Sequence, residues 1–421
     1  MSSPIANDPD RVARIMLSWH SLELVSCTTL QTLWAGYGHI CAITAKATTD
    51  EAAKHLDKLC GVESGEAGTA YPLILKLISP PKESAGDGEG HLRKMFSYEV
   101  EQYFYTDVAY LLGDEVAVAK CLASTREMEY EEGEEELKGL MATIMVDLRT
   151  KFPVAGGKRS TLNRTQVHAA LEWLAGFHSH SRLLLPTNDL EDFVQPPNRE
   201  YVKRKVGWTG SKNEVWRNGG YTYLATRQEE YAFLAQDTDS EWSEALCKPS
   251  EGSHLSIAEK AATLLAPYGR PIESYIHGDV KSENLFTTTN GDKVAFFDFQ
   301  YVGLGLGVCD IAKLFTCSVP QNLLVDTSKP LPEKLKMCDG ERQLLEHYRT
   351  RLFQDDDPDI YPWEMFERHW NTALVDWCRF QASWGFWGNT EWLEARVRSI
   401  LSDQDWRDWL HNATRNRHYN Y

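Results

Sequence analysis

The sequence predicts an α+β protein in two parts, a strand-rich N-terminal part and a mainly helical C-terminal part. Three observations carry this. The chain has 421 residues, too many for one compact core at about 100 to 200 residues per domain. Short β-rich apolar runs broken by glycine dominate as far as Leu148. Beyond it apolar residues recur at helical spacing, and the last third is crowded with tryptophan. The expected division is therefore 1–148 and 149–421.

In the first part, helical spacing covers Asp10 to Val25, and Leu30 to Ile43 reads as two short strands around a glycine turn. Gly36 and Gly38 would let backbone amides approach a phosphate, although the full G-x-G-x-x-G pattern is missing. Tyr71 to Ile78 is an apolar strand with Lys76 embedded in it. A lysine in such a strand needs a counter-charge or an anionic ligand. Pro80 to Gly90 reads as a loop, and Phe96 to Tyr105 as an aromatic-rich helix offering Glu99, with Glu101 as the alternative, for that counter-charge. Val116 to Leu122 and Leu140 to Leu148 form a second strand pair. They frame the acidic run Glu127 to Glu136, expected as a solvated loop.

In the second part, Thr165 to Leu184 has helical spacing, and His178 on it reads as a core histidine with partners. The stretch Lys203 to Leu234, with Trp208, Trp216 and Gly219-Gly220, suggests no chemistry by itself. His277-Gly278-Asp279-Val280-Lys281-Ser282-Glu283-Asn284 is different. Asp279 and Asn284 stand five residues apart, and a turn at Thr289 to Asp292 joins Leu285-Phe286 to Val294–Phe297, ending at Asp298. This is the layout of a phosphoryl-transfer loop, in which one Asp receives a hydroxyl proton while an Asn and a second Asp hold a divalent cation. Hard cations take such oxygen ligands because they must neutralise charge spread over phosphate. Lys281 would place a positive charge near the transferred group. In the tryptophan-rich end, core packing accounts for most of the aromatic residues; Asp376, Arg379, Trp384 and Trp387 are those to examine for acceptor binding, and an aromatic cage for a quaternary ammonium is the alternative use.

The segment from His277 to Phe315 resembles the superfamily of choline kinases, aminoglycoside phosphotransferases and ecdysteroid-kinase-like proteins. His277-Gly278-Asp279, Asn284, Asp298-Phe299-Gln300 and Asp310-Ile311-Ala312 carry the resemblance. It implies a two-lobed protein-kinase-like fold, with an antiparallel sheet plus helix in the N-terminal lobe, ATP and Mg²⁺ as cofactors, and transfer of the γ-phosphate to a hydroxyl of a small molecule. Residue by residue, it implies Asp279 as base, Asn284 and Asp298 as metal ligands, and Lys76 as the phosphate-orienting lysine. Glu99 is its implied partner through Phe96-x-x-Glu99. The glycines Gly36 and Gly38 would cover the phosphates, the main chain of Val146 and Leu148 would contact adenine, and Asp310 would anchor the loop. The family often has Glu where Val146 stands, a change that a main-chain contact tolerates. By the same analogy the stretch from Lys203 to Leu234 helps to shape an acceptor site, the role of the wider 200–250 region being open. Gly303, Gly305 and Gly307 replace a long activation segment and no Ala-Pro-Glu follows, which argues against a protein kinase. A catalytically silent nucleotide-binding protein is the other alternative.

Composition limits the partners. Apolar content of 42% and charged content of 25% suit a soluble globular protein. The 44 basic and 61 acidic residues give a formal charge of −17, so nucleic acid would be repelled. The nine cysteines show no C-x-x-C spacing and read as reduced thiols. No uncharged apolar run reaches about 18 residues and the N-terminus lacks a secretory core. A cytoplasmic protein acting on a small hydroxylated acceptor, without membrane or nucleic-acid partners, is the resulting expectation.

Overall fold

The computed structural model describes residues 8–62, 65–81, 88–185, 189–207, 213–249, 253–354, 358–415 and 417. Most of the expected 80–90 loop lies outside the described residues, as does Trp208. By its internal contacts the chain divides into two compact units, Met1–Gly113 with Ala117–Pro153, and Asp114–Val116 with Val154–Tyr421.

The first unit is an antiparallel five-stranded sheet with helices. Its strands are β1 (Leu22–Thr32), β2 (Gly38–Ala47), β3 (Ala70–Ile78), β4 (Cys121–Ser124) and β5 (Met141–Val146), in the order β1-β2-β3-β5-β4. The first helix, α1 (Pro9–Ser18), is capped by the Asp8 carboxylate on the Arg11 amide. It stops well short of the expected Val25, because Ser21 turns the chain at φ 55° and the alternating Leu22 and Leu24 enter the sheet core. After β2 comes α2 (Asp50–Cys60), capped by Thr49 and ended by left-handed Gly61. α3 (Glu89–Tyr103) and the short α4 (Glu134–Leu137) complete the unit.

Strand alternation divides β3 between two faces. Leu73, Leu75 and Leu77 join the core formed with α1 and α2, so Ile74, Lys76 and Ile78 face the other way, toward α3. The acidic run joins β4 to β5 and is largely solvated, as expected, with Glu127, Glu129, Glu131, Glu132, Glu135 and Glu136 exposed. It is tied to α1 at a few points: the Trp19 indole donates to the Glu132 carbonyl at 2.9 Å, Arg11 pairs with Glu136, and Leu137 just after the run is fully buried.

The second unit contains α5 (Arg164–Leu183), α6 (Pro197–Lys205), α7 (Gln228–Gln236), α8 (Ile257–Leu265), α9 (Val308–Cys317), α10 (Gln321–Leu324), α11 (Asp339–Leu352), α12 (Trp363–Trp384), α13 (Thr390–Leu401) and α14 (Gln404–Thr414). Among them run β6 (Val154–Ala155), β7 (Ser274–Ile276), β8 (Leu285–Thr287), β9 (Val294–Phe296) and β10 (Gly303–Gly305), forming the small sheets β6-β8-β9 and β10-β7. α5 begins with a capping box between Asn163 and Gln166. Trp370 and Trp392 are fully buried and Trp377 and Trp406 nearly so, whereas Trp384 is 56% exposed. Packing thus buries four of the eight tryptophans of the last third, with Trp363, Trp387 and Trp409 partly covered.

Candidate functional site

In the first unit the buried lysine has its counter-charge. Lys76 Nζ lies 2.5 Å from Glu101 Oε2, with side-chain exposures of 9% and 6%. The expected partner Glu99 is therefore corrected to Glu101. At roughly 100° per residue, positions two apart on a helix point nearly opposite ways, and the face of α3 that carries Glu101 is the one turned to β3. Lys76, Glu101, Tyr98, Gln102, Thr143 and Met145 border a common cavity.

Both glycines of the β1–β2 hairpin have local structural uses. Gly36 takes a left-handed turn conformation (φ 74°) and its amide bonds to the Leu33 carbonyl at 3.0 Å. Gly38 sits so close to β3 that a Cβ would come within 2.0 Å of the Leu77 carbonyl. At the end of β5 the Val146 amide donates to the Lys120 carbonyl (2.9 Å), and the Leu148 carbonyl accepts from the amides of Lys151 and Phe152.

The second unit brings together Asp279, Lys281, Asn284 and Asp298. The β8–β9 hairpin is the reason: Leu285 pairs with Phe296, and the Phe297 amide bonds to the Asn284 carbonyl at 3.0 Å. Asn284 and Asp298 consequently sit at the same end of adjacent strands. Asn284 Nδ2 donates to the Asp279 carbonyl (2.9 Å) and to Asp279 Oδ2 (3.0 Å). Lys281 Nζ lies 3.0 Å from that same Oδ2 and 3.1 Å from Glu283 Oε1. Although burial opposes its charge, these two carboxylates hold the Lys281 ammonium above its ordinary range. Both side-chain contacts to Asp279 thus fall on Oδ2, and its Oδ1 takes no hydrogen bond from a described residue. Asp298 adopts a left-handed conformation (φ 66°, ψ 58°), and Gln300 Nε2 donates to its Oδ1 at 2.7 Å. A non-glycine residue in that region is strained, a state that clusters at functional sites.

The backbone before Asp279 is held from behind. Asp310, fully buried, accepts the amides of His277 (2.7 Å) and Gly278 (2.9 Å) on its two oxygens, and His178 Nε2 lies 3.2 Å away. Burial works against the Asp310 charge, but the His178 hydrogen bond and the Lys313 ammonium hold its carboxyl below the usual range. His178 also bonds the Tyr348 hydroxyl at 2.8 Å, so it is a core histidine with partners, as expected. His277 is pushed down by burial. Its Nε2 faces the Phe297 carbonyl and its Nδ1 faces the Asp279 amide, the arrangement of a neutral ring donating from Nε2.

Several residues against this loop carry no motif. Trp216 exchanges backbone hydrogen bonds with Val302 and Leu304, and the Gly220 amide donates to the Tyr301 carbonyl at 2.9 Å, so the unassigned stretch is laced to the segment after Asp298. Tyr221 follows, its phenol pushed well up by burial and then by the Asp279 charge. Buried Lys313 reaches the Gly278 carbonyl. The signal for Lys313 was the one that marked Lys76, a lone lysine within an apolar run.

Asp376 and Arg379 pair with each other at 2.8 Å. The aromatic faces of Tyr221, Phe380 and Trp384 are occupied by Arg227, whose guanidinium lies 5.6, 5.5 and 5.0 Å from their ring centres. An aromatic cage for a cationic ligand at these rings is therefore already filled by the protein's own cation.

Fold and loop together define a kinase-like protein. Residues 70–333 match the model of the ecdysteroid kinase-like family, more than half of the chain, and the chain belongs to that family. The match includes Lys76, Glu101, Asp279, Asn284, Asp298 and Asp310. No curated protein matches. Among solved structures, a putative aminoglycoside phosphotransferase from Ralstonia eutropha is similar at 11% identity and TM-score 0.38, over 97% of this chain and 99% of that one. An ethanolamine kinase from Plasmodium vivax is similar at 13% identity and TM-score 0.38, over 92% and 84%. A macrolide 2'-phosphotransferase from Brachybacterium faecium gives 12% and 0.40, over 97% and 99%. At these scores none of the three bears on the roles of individual residues. Among the described residues no helix is long and apolar enough to cross a membrane, and all nine cysteines are unpaired.

Proposed function

We propose that the protein is an ATP- and Mg²⁺-dependent phosphotransferase that moves the γ-phosphate of ATP to a hydroxyl of a small molecule in the cytoplasm. The arrangement of Asp279 carries the reading. Its Oδ2 is committed to Asn284 and Lys281 while its Oδ1 is left for a hydroxyl proton. In the proposed reaction the acceptor oxygen attacks the γ-phosphorus, the bond to the bridging oxygen of ADP breaks, and the acceptor proton passes to Asp279 Oδ1.

The Asn284 amide oxygen and the Asp298 carboxylate at one hairpin end are hard donors. They suit Mg²⁺, which takes one or two protein ligands and completes its shell with water and phosphate. When bound, the ion would neutralise charge on the phosphates. Lys76, held by Glu101, is assigned to the ATP phosphates, and Lys281 orients Asp279 through its contact with Oδ2. In this assignment Gly36 and Gly38 shape the hairpin, and main-chain groups around Val146 and Leu148 contact adenine. The filled aromatic cluster favours acceptors that do not present a quaternary ammonium there.

The test is an ATP-consumption screen with Mg²⁺ over sugars, sterols, amino alcohols and aminoglycosides, with Asp279→Ala as control. A hit lost in the variant supports the reading. ATP that binds and is never consumed supports a silent nucleotide-binding protein instead.

A further inference from the structure

We infer that Lys313 is a positioning residue for Asp279, an inference that rests on Asp279 being the base. α9 carries Asp310 and Lys313 one turn apart, and the two grip opposite ends of Gly278. The Gly278 N–H donates to Asp310 Oδ1 at 2.9 Å, and the Gly278 carbonyl accepts from Lys313 Nζ at 2.6 Å. That carbonyl belongs to the peptide unit whose N–H is the Asp279 amide, and this N–H bonds to His277 Nδ1 at 3.3 Å. The peptide plane leading into Asp279 is held at both ends, which sets the direction in which the carboxylate leaves the chain.

Stability alone does not explain a lysine here. Lys313 is 5% exposed and lies between Ala312 and Leu314 in a largely apolar helix. It forms no ion pair with any described residue. Apart from the Gly278 carbonyl, its ammonium meets the rings of Tyr221 and Trp377, each at 6.0 Å. Its charge helps to hold the Asp310 carboxyl low, but no carboxylate of a described residue lies within ion-pair distance to offset the cost of burying it. The surroundings are also shaped around the contact. A Cβ on Gly220 would come within 2.9 Å of Lys313 Nζ, and one on Gly278 within 2.6 Å of the Gly220 nitrogen. Gly278 itself is at φ 83°, a region in which glycine is free to move elsewhere. External bonds are what keep it there.

The experiment compares wild type, Lys313→Met and Lys313→Arg by site-resolved hydrogen exchange over residues 277–284. Thermal unfolding and Mg²⁺-dependent ATP turnover, with water or an alcohol as acceptor, are measured alongside. The expected result for Lys313→Met is an exchange rate at the Asp279 amide raised about tenfold or more. Its kcat should fall about 10- to 100-fold with KM for ATP changed less than about threefold, the pattern of a misaligned base. Lys313→Arg, which can still donate to the carbonyl, should restore the exchange protection and part of kcat. Unchanged exchange in Lys313→Met overturns the inference, as does a kcat that falls only as far as the folded fraction does. Should wild type turn over no ATP, the phosphotransferase reading fails, and the exchange rates alone decide whether Lys313 holds the loop.

Discussion

Replacing Glu101 by Gln should disable the first unit far more than the same change at Glu99. The Lys76–Glu101 pair is buried, 2.5 Å long, and borders a cavity. Removing one partner of such a pair costs about 3 to 5 kcal/mol, because the remaining charge is left in a poorly solvated place. Gln keeps a hydrogen-bond acceptor, so about 3 kcal/mol is the expected loss. Glu99 is only half-buried, where losing a charge costs at most about 1 kcal/mol. Urea unfolding of wild type and both variants measures the difference, and titration with ATP analogues shows whether Lys76 still orients phosphate. Glu101→Gln should lose most of its affinity, and Glu99→Gln little. Equal destabilisation by the two variants, or a larger effect at Glu99, would refute the pairing and the helix phase behind it.

Three further outcomes follow from buried or strained groups. Burial, helped by Arg270 and Arg417, pushes His369 down to about 3, and its Nδ1 bonds the Tyr361 hydroxyl. It is neutral when folded, whereas an unfolded histidine takes a proton below about pH 6.5. Its contribution to stability is therefore complete above about pH 6.5 and declines toward pH 3 by up to about 1.4 kcal/mol per unit; His369→Asn should flatten the urea midpoint between pH 7 and 5, and parallel pH profiles would count against this. Asp310 has a lowered carboxyl, so its share of stability is present above the ordinary carboxylate pKa and is lost on acidification through its folded value; Asp310→Asn should abolish that acid dependence and loosen hydrogen exchange at His277 and Gly278. Asp298→Gly relieves a left-handed non-glycine conformation and should leave the melting temperature unchanged or raise stability by about 1 kcal/mol, while removing the Mg²⁺ dependence of ATP binding; a large loss of stability would show that Asp298 serves the fold first.

The parts of the site legible in the sequence are those whose chemistry is local. Asp279, Asn284 and Asp298 lie on one loop and one hairpin, so spacing and a turn signal were enough to bring them together. Lys76 stood out because a charge in an apolar strand demands a partner. Its partner was not legible: Phe96, Tyr98, Val100, Glu101 and Gln102 are all buried, and a helix covered on most sides has no periodicity to give its phase. Nor could the end of α1 be read, because Leu22 and Leu24 fit a helix as well as a strand until β2 pairs with them. Trp216 to Tyr221 left no pattern, since backbone hydrogen bonds to residues 301–304 hold much of this stretch in place. Lys313 acts on a residue far away in the chain, through a carbonyl that has no sequence signature.

The most direct test of the central claim is single-turnover transfer from γ-labelled ATP in the presence of Mg²⁺, with a small alcohol found by screening and the product followed by mass spectrometry. The account expects phosphate on the alcohol with wild type, and with Asp279→Ala retained nucleotide binding but transfer reduced by several orders of magnitude. Transfer that survives in Asp279→Ala, or loss of nucleotide binding equal to the loss of transfer, would contradict it.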